Sequence, residues 1–248
     1  MNKSLLIILL TALSFQSFSQ YNSEGADLIS RFRPGSMWFY TGFRPATPEK
    51  VRKYDRLMFD LTYNTFNGDL KAFKNNWKSI GLNTNLMFDI PITKGNTVSF
   101  GVGLAHSLFR VETSGKSFNP DTSYTFTELS SYQPFAEENR YLIGNSFSVP
   151  LEFRFRTKGW KHFKVHIGGR IGYQANLYSK TVNHYFNGKQ VFKDHTFADV
   201  NPLIYSAHVR FGIRNWALYG SYNLNALFKN KSSVQLNLFQ VGLSVSLF

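Results

Sequence analysis

From residue 55 onward the chain alternates apolar and polar residues with period two, in eight segments of ten or more residues separated by turn residues. Period two is the signature of a β-strand with one apolar face, because successive side chains point to opposite sides of a sheet. The first segment, 55–66, sets Leu57, Phe59, Leu61 and Tyr63 against Asp60, Thr62 and Asn64. The second, 78–92, sets Leu82, Leu86, Phe88 and Ile90 against Asn83, Asn85 and Asp89. In the third, 97–111, Val98, Phe100, Val102 and Leu104 oppose Ser99, Gly101, Gly103, Ala105 and Ser107. The fourth, 140–156, sets Phe147, Val149, Leu151, Phe153 and Phe155 against Ser146, Ser148, Glu152 and Arg154. The fifth, 161–178, sets Phe163, Val165, Ile167, Ile171 and Tyr173 against Lys164, His166, Gly168, Arg170 and Gln174. The remaining segments, 202–214, 216–227 and 234–248, continue the pattern, with Ser206, His208, Arg210, Gln240, Gly242, Ser244 and Ser246 on the polar side.

The strands exceed the usual length of about five or six residues and match the roughly 9–11 of a tilted membrane strand. Connections alternate in length. Turns such as Lys94-Gly95-Asn96, Lys158-Gly159-Trp160 and Arg214-Asn215 are short, whereas 112–139 and 179–201 are long. Short periplasmic turns facing longer outside loops, on an even number of strands, describe an outer-membrane barrel. Closure also leaves no unpaired strand edge in lipid. The expected fold is all-β: an eight-stranded, antiparallel, up-and-down transmembrane β-barrel over 55–248, with both termini periplasmic.

The apolar face is almost free of charge, and the opposite face mixes small residues with charges of both signs. A soluble barrel would turn its apolar face inward and cover its exterior with Lys and Glu. Here the face of small and polar residues suits an interior only wide enough for side chains to fill. Charges in that interior must pair. The expected lumen network joins Asp60, Asp89 and Glu152 to Arg154, Lys164, Arg170 and Arg210. A filled lumen excludes a wide pore. Trp77, Trp160, Tyr178 and Trp216, near strand ends, are expected in the interfacial girdles.

Residues 1–19 read as a secretory signal, with Lys3 followed by the apolar run Leu5 to Phe15, and Ser17 and Ser19 before Gln20. That run is too short to span a bilayer as a helix, and no later apolar run reaches the required length of about 18 residues. Among 248 residues there is no cysteine, which excludes disulfides, thiolate metal sites, a Cys nucleophile and a lipid-modified N-terminal Cys. The net charge is +13. On an exported chain this surplus points away from nucleic acid, toward lipopolysaccharide, phospholipid headgroups or another envelope protein.

The strand Phe147-Ser148-Val149-Pro150-Leu151-Glu152-Phe153-Arg154-Phe155-Arg156 resembles that of the PorT-like outer-membrane β-barrel proteins of Bacteroidota. Ile167-Gly168-Gly169-Arg170-Ile171-Gly172-Tyr173 resembles the next strand of that family, and the chain ends in Phe248 as many outer-membrane proteins do. The resemblance covers 55–248. It implies an outer-membrane location and a role among proteins that range from barrels without assigned activity to components of type IX secretion. Two features depart from the pattern. Leu243, Val245 and Leu247 lie on the opposite parity to Phe248, and a segment of 20–54 precedes the first strand.

That segment is basic and aromatic, with Phe32-Arg33-Pro34 repeated as Phe43-Arg44-Pro45 around Trp38, Phe39 and Tyr40. One reading makes it a periplasmic docking segment, with Arg33, Trp38, Phe39, Tyr40, Phe43 and Arg44 as contacts, since rings and Arg dominate binding hot spots. Another has it plug the barrel base or lie on the inner leaflet. A third makes 36–43 an additional strand. Motifs of chemistry are sparse: there is no phosphate loop, HExxH or nucleophile elbow. His166 and His208 read as polar filling of the lumen against a proton relay or metal pair. His184 and His195 flank an expected hairpin at Asn187-Gly188. His106-Ser107 imitates half of a lipid-hydrolase site, but His106 carries the lipid-facing parity. The 112–139 loop holds Glu112, Asp121, Glu128, Glu137 and Glu138 beside Lys116 and several aromatics, and reads as a partner- or cation-contacting loop or a solvated one. The resulting expectation is a non-enzymatic, cofactor-free accessory or structural subunit of an envelope complex, in secretion or barrel assembly. Its partners are outer-membrane lipids, lipopolysaccharide and other envelope proteins. A small passive porin and a lipid-modifying enzyme are the competing classes.

Overall fold

The computed structural model describes residues 55–68, 78–93, 97–113, 116–120, 125–129, 137–157, 163–185 and 188–247. The signal segment 1–19, the docking candidates Arg33, Trp38, Phe39, Tyr40, Phe43 and Arg44, the turns at 94–96 and 158–160, and Trp77 and Trp160 lie outside the described residues.

Eleven strands occur among the described residues: β1 Leu57–Gly68, β2 Ile80–Pro91, β3 Val98–Glu112, β4 Lys116–Pro120, β5 Thr125–Leu129, β6 Glu137–Arg156, β7 Phe163–Tyr185, β8 Gly188–Asp194, β9 Leu203–Ile213, β10 Trp216–Asn223 and β11 Leu236–Ser246. Eight of them pair antiparallel with sequential neighbours, and β1 pairs with both β2 and β11. The register Asp60↔Ser244 and Asp60↔Asn83 therefore closes the sheet on itself. An all-β, eight-stranded antiparallel closed barrel results. The reading of 36–43 as an additional strand lies outside the described residues.

Alternation decides which face is outside. Leu61, Leu104 and Phe147 are 58–64% exposed on the barrel wall, whereas Asp60, Asn64, Asn83, Asn85, Glu152, Arg154 and Arg210 are fully buried in the lumen. A soluble chain would not leave such a continuous apolar belt in water. Trp216 starts β10 on the outer face at 49% exposure. Tyr178 instead stacks on His195, with ring centroids 4.8 Å apart. The β9–β10 connection is the expected Arg214-Asn215, with Ile213 paired to Trp216 and Arg214 in the left-handed region at φ 57°.

The long connections differ from the loop reading. Within 112–139, β4 and β5 form a hairpin, with Lys116 opposite Leu129. Glu112 is buried rather than solvated, and its N–H donates to Ser79 Oγ at 3.0 Å. Strand β7 runs on to Tyr185 and turns into β8, with Tyr185 opposite Gly188, so the expected 179–201 hairpin is an extension of the wall. The segment after β10 ends its strand at Asn223, earlier than 227, because Leu227 and Phe228 turn into the barrel mouth.

A second difference lies in the lumen. Toward the loop end the inward face becomes apolar. Phe66, Phe109, Val111, Leu142, Leu236 and Leu238 continue the inward parities of their strands. They pack with Phe118, Phe197, Leu227, Phe228 and Val234 from the connections. On β7 a bulge intervenes: Asn145 pairs with Asn176 but Ser146 with Gln174, which leaves Ala175 unpaired. The bulge reverses parity and turns Leu177 into the same cluster.

Candidate functional site in the barrel lumen

Below the apolar cap the lumen holds a continuous network of charges. Its placement follows from alternation: Glu152, Arg154 and Arg156 share one face of β6, and Lys164, His166 and Arg170 share one face of β7. Arg210 sits at the centre. Its guanidinium donates to both carboxylate oxygens of Asp60, at 3.1 and 2.9 Å, and to Glu152 Oε1. Arg154 donates from Nε to Glu152 Oε2 at 2.9 Å, pairs with Asp89 through Nη1, and also donates to the Asp55 carbonyl at 2.9 Å. Lys164 Nζ donates to Asp55 Oδ1 and Ser246 Oγ, each at 2.8 Å. Arg170 reaches Asn85 Oδ1 at 2.9 Å and Asp60 Oδ2 at 3.5 Å. The structure thus brings together Asp60, Asp89, Glu152, Arg154, Lys164, Arg170 and Arg210 in one cluster.

Two members were missed by sequence reasoning. Arg156 bridges Asp89 at 2.9 Å and Asp55 at 3.2 Å. Parity alone assigned Arg156 to the face of Glu152 and Arg154, and that signal was available. Asp55 precedes β1 and has the odd numbering of the outward Leu57, Phe59 and Leu61, so only the closed barrel reveals its position. Burial alone would push the Asp55 carboxyl up, but Lys164 and Arg156 beside it hold it well below the usual carboxylate range.

Both lumenal histidines join the network. His208 Nε2 lies 2.8 Å from Glu152 Oε1, and His166 lies 3.5 Å from Asp55 and 3.7 Å from Glu152. Tyr219 offers its ring to Arg210 and Arg170, with centroid distances of 4.9 and 5.4 Å. His106 faces outward and packs on Phe147, with centroids 4.9 Å apart, rather than facing Ser107. Among the described residues no group of three or more metal-ligating side chains forms.

The cap is stitched by polar contacts between its connections. Thr125 Oγ1 donates to Asp199 Oδ1 at 2.6 Å, and Ser233 Oγ donates to Asp199 Oδ2. The Thr125 N–H donates to Ser233 Oγ at 2.9 Å, and the Val234 N–H donates to the Thr125 carbonyl at 3.0 Å. Asp199 therefore ties β5 to the 229–234 connection over the mouth.

No family model matches the chain, and no curated protein matches it. Membership of the PorT-like barrels is accordingly not shown. Two crystal structures of Ail, the attachment invasion locus protein of Yersinia pestis, are similar to it. The first shares 12% identity over 77% of this chain and 95% of that one, at a TM-score of 0.31. The second, with the heparin analogue sucrose octasulfate, shares 13% identity over 77% and 96%, at 0.32. At that score the likeness carries no argument, and the assignment of a closed eight-stranded barrel rests on the strand pairing itself.

Proposed function

We propose that this chain is a non-enzymatic, cofactor-free outer-membrane barrel of a Gram-negative bacterium, acting as an accessory or structural subunit of an envelope complex, in secretion or barrel assembly. The observation that carries this reading is the filled lumen. Charged side chains satisfy one another across its middle, and an apolar cap closes its loop end. A barrel so occupied offers no passage of porin width, and most of its buried charges are engaged with one another rather than aimed at a substrate. The apolar outer belt supports outer-membrane lipids and lipopolysaccharide as its immediate surroundings. Residues 1–19 act as the export signal. Residues 20–54 form the periplasmic segment that docks a partner through Arg33, Trp38, Phe39, Tyr40, Phe43 and Arg44, with both termini on that side.

The test is purification from native membranes in mild detergent, followed by identification of co-purifying proteins, for the full chain and for a chain lacking 20–45. A stable envelope partner lost on deletion, with barrel assembly intact, is the expected result. The same partners in both preparations would eliminate docking. Planar-bilayer steps of porin size would favour the porin class instead, and turnover of lipopolysaccharide acyl chains would favour the enzyme class.

A further inference from the structure

Between the ion network and the apolar cap lies a cavity of about 30 Å³. Ser146, Ser148, Ser206, Ser221 and Gln240 bring polar groups to its wall, and Phe109 and Leu238 of the cap adjoin it. Among the described residues lining it, Arg170 is the one that is charged. Its side chain is 4% exposed, and its Nε has no hydrogen-bond partner. The guanidinium is anchored through Nη2, by Asn85 and more distantly by Asp60.

The charges around it are unequal. Among the described members of the ion network, Arg154, Arg156, Lys164, Arg170 and Arg210 face Asp55, Asp60, Asp89 and Glu152, five cations against four carboxylates. Each carboxylate has a cation closer than Arg170. Among the described carboxylates only Asp60 is within reach of Arg170, and it is already doubly bonded by Arg210. Arg170 is the cation held least closely by a described carboxylate, at 3.5 Å, and it stands beside the serine-bearing space. Water can satisfy the free N–H but adds no countercharge inside a membrane-embedded wall, where weakly paired charge is costly. A space of this size accepts one species the size of a water molecule, and hydroxyl and guanidinium donors suit a negative one.

We propose that the cavity binds one small monovalent inorganic anion of chloride size, held by Arg170 Nε and the serine hydroxyls around it. The site is independent of any envelope partner. The purified full chain in detergent tests it, with bromide as probe. Crystals soaked in bromide are expected to show an anomalous peak within hydrogen-bonding reach of Arg170 Nε. In solution, chloride at fixed ionic strength should raise the melting temperature by about 2–4 °C over gluconate, which is too large to enter. Arg170→Gln should abolish that difference. If that variant does not fold, Ser206→Val, which fills the cavity, serves in its place. No bromide peak in the cavity, or equal melting temperatures in chloride and gluconate for the unsubstituted chain, would overturn the proposal.

Discussion

Glu152 is the residue on which most of the lumen depends, since Arg154, Arg210 and His208 all meet its two oxygens. Removing one member of a buried charge cluster leaves its partners uncompensated, at a cost of roughly 3–5 kcal/mol. Glu152→Ala is therefore expected to lower the urea midpoint of the folded barrel sharply, read by its heat-modifiable gel mobility, more than any single exposed substitution on the outer belt. Asp55 tests the same principle through pH, from just ahead of β1 and outside the spanning strands. Its folded carboxyl titrates below its unfolded value of about 3.9, so the stabilisation is fully present above that value and is lost as pH falls through the lower folded one. Compared with Asp55→Asn, the native chain should keep a constant stability advantage above about pH 5, and the advantage should shrink below about pH 4. Equilibrium unfolding of both chains across that range measures it.

Among elements, β7 is unusual in serving two neighbours on one edge, β9 along its lower part and β8 along its upper. The bulge at Ala175 makes this compatible with the core. Below it Gln174 points inward, and above it Leu177 does so, three residues later rather than two or four. Deleting Ala175 removes the extra residue and leaves Gln174 and Leu177 two positions apart, so strict alternation keeps both inward and Asn176 outward. The expected result is a barrel whose cap keeps its resistance to protease, read by limited proteolysis of intact cells. A cap opened to protease would show that the bulge itself, and not only the inward parity of Leu177, holds the cap closed.

At the scale of the whole molecule the barrel has two closures of opposite chemistry, a charge network across its middle and an apolar cap at its loop end. The cap is latched by Asp199, which accepts from Thr125 and Ser233. Losing hydrogen bonds to a buried charged acceptor costs about 1.5–3 kcal/mol, equivalent to a roughly 10–100-fold rise in local opening. Asp199→Ala should therefore speed hydrogen exchange at the Thr125 and Val234 amides by that factor, while amides of β1 and β11 keep their protection. Planar-bilayer recordings of this variant are expected to stay free of porin-sized steps, because the ion network still fills the lumen beneath.

The alternation of apolar and polar residues was enough to give the eight barrel strands, most of their boundaries within a few residues, and the inward set Asp60, Asp89, Glu152, Arg154, Lys164, Arg170 and Arg210, though not β4, β5 or β8. These are local quantities: period two depends only on where each Cβ points along an extended backbone. Arg156 was equally legible by parity. Tertiary structure alone decided the rest. Asp55 became a lumen residue only when β1 met β11. Phe66, Phe109, Leu142 and Leu238 read as breaks in a polar face until the connections folded back to cover them. Leu177 pointed inward only because an unpaired residue shifted register against β6. Partner choice, register shifts and the return of loops over the mouth are long-range packing outcomes, and no residue's own neighbours along the chain encode them.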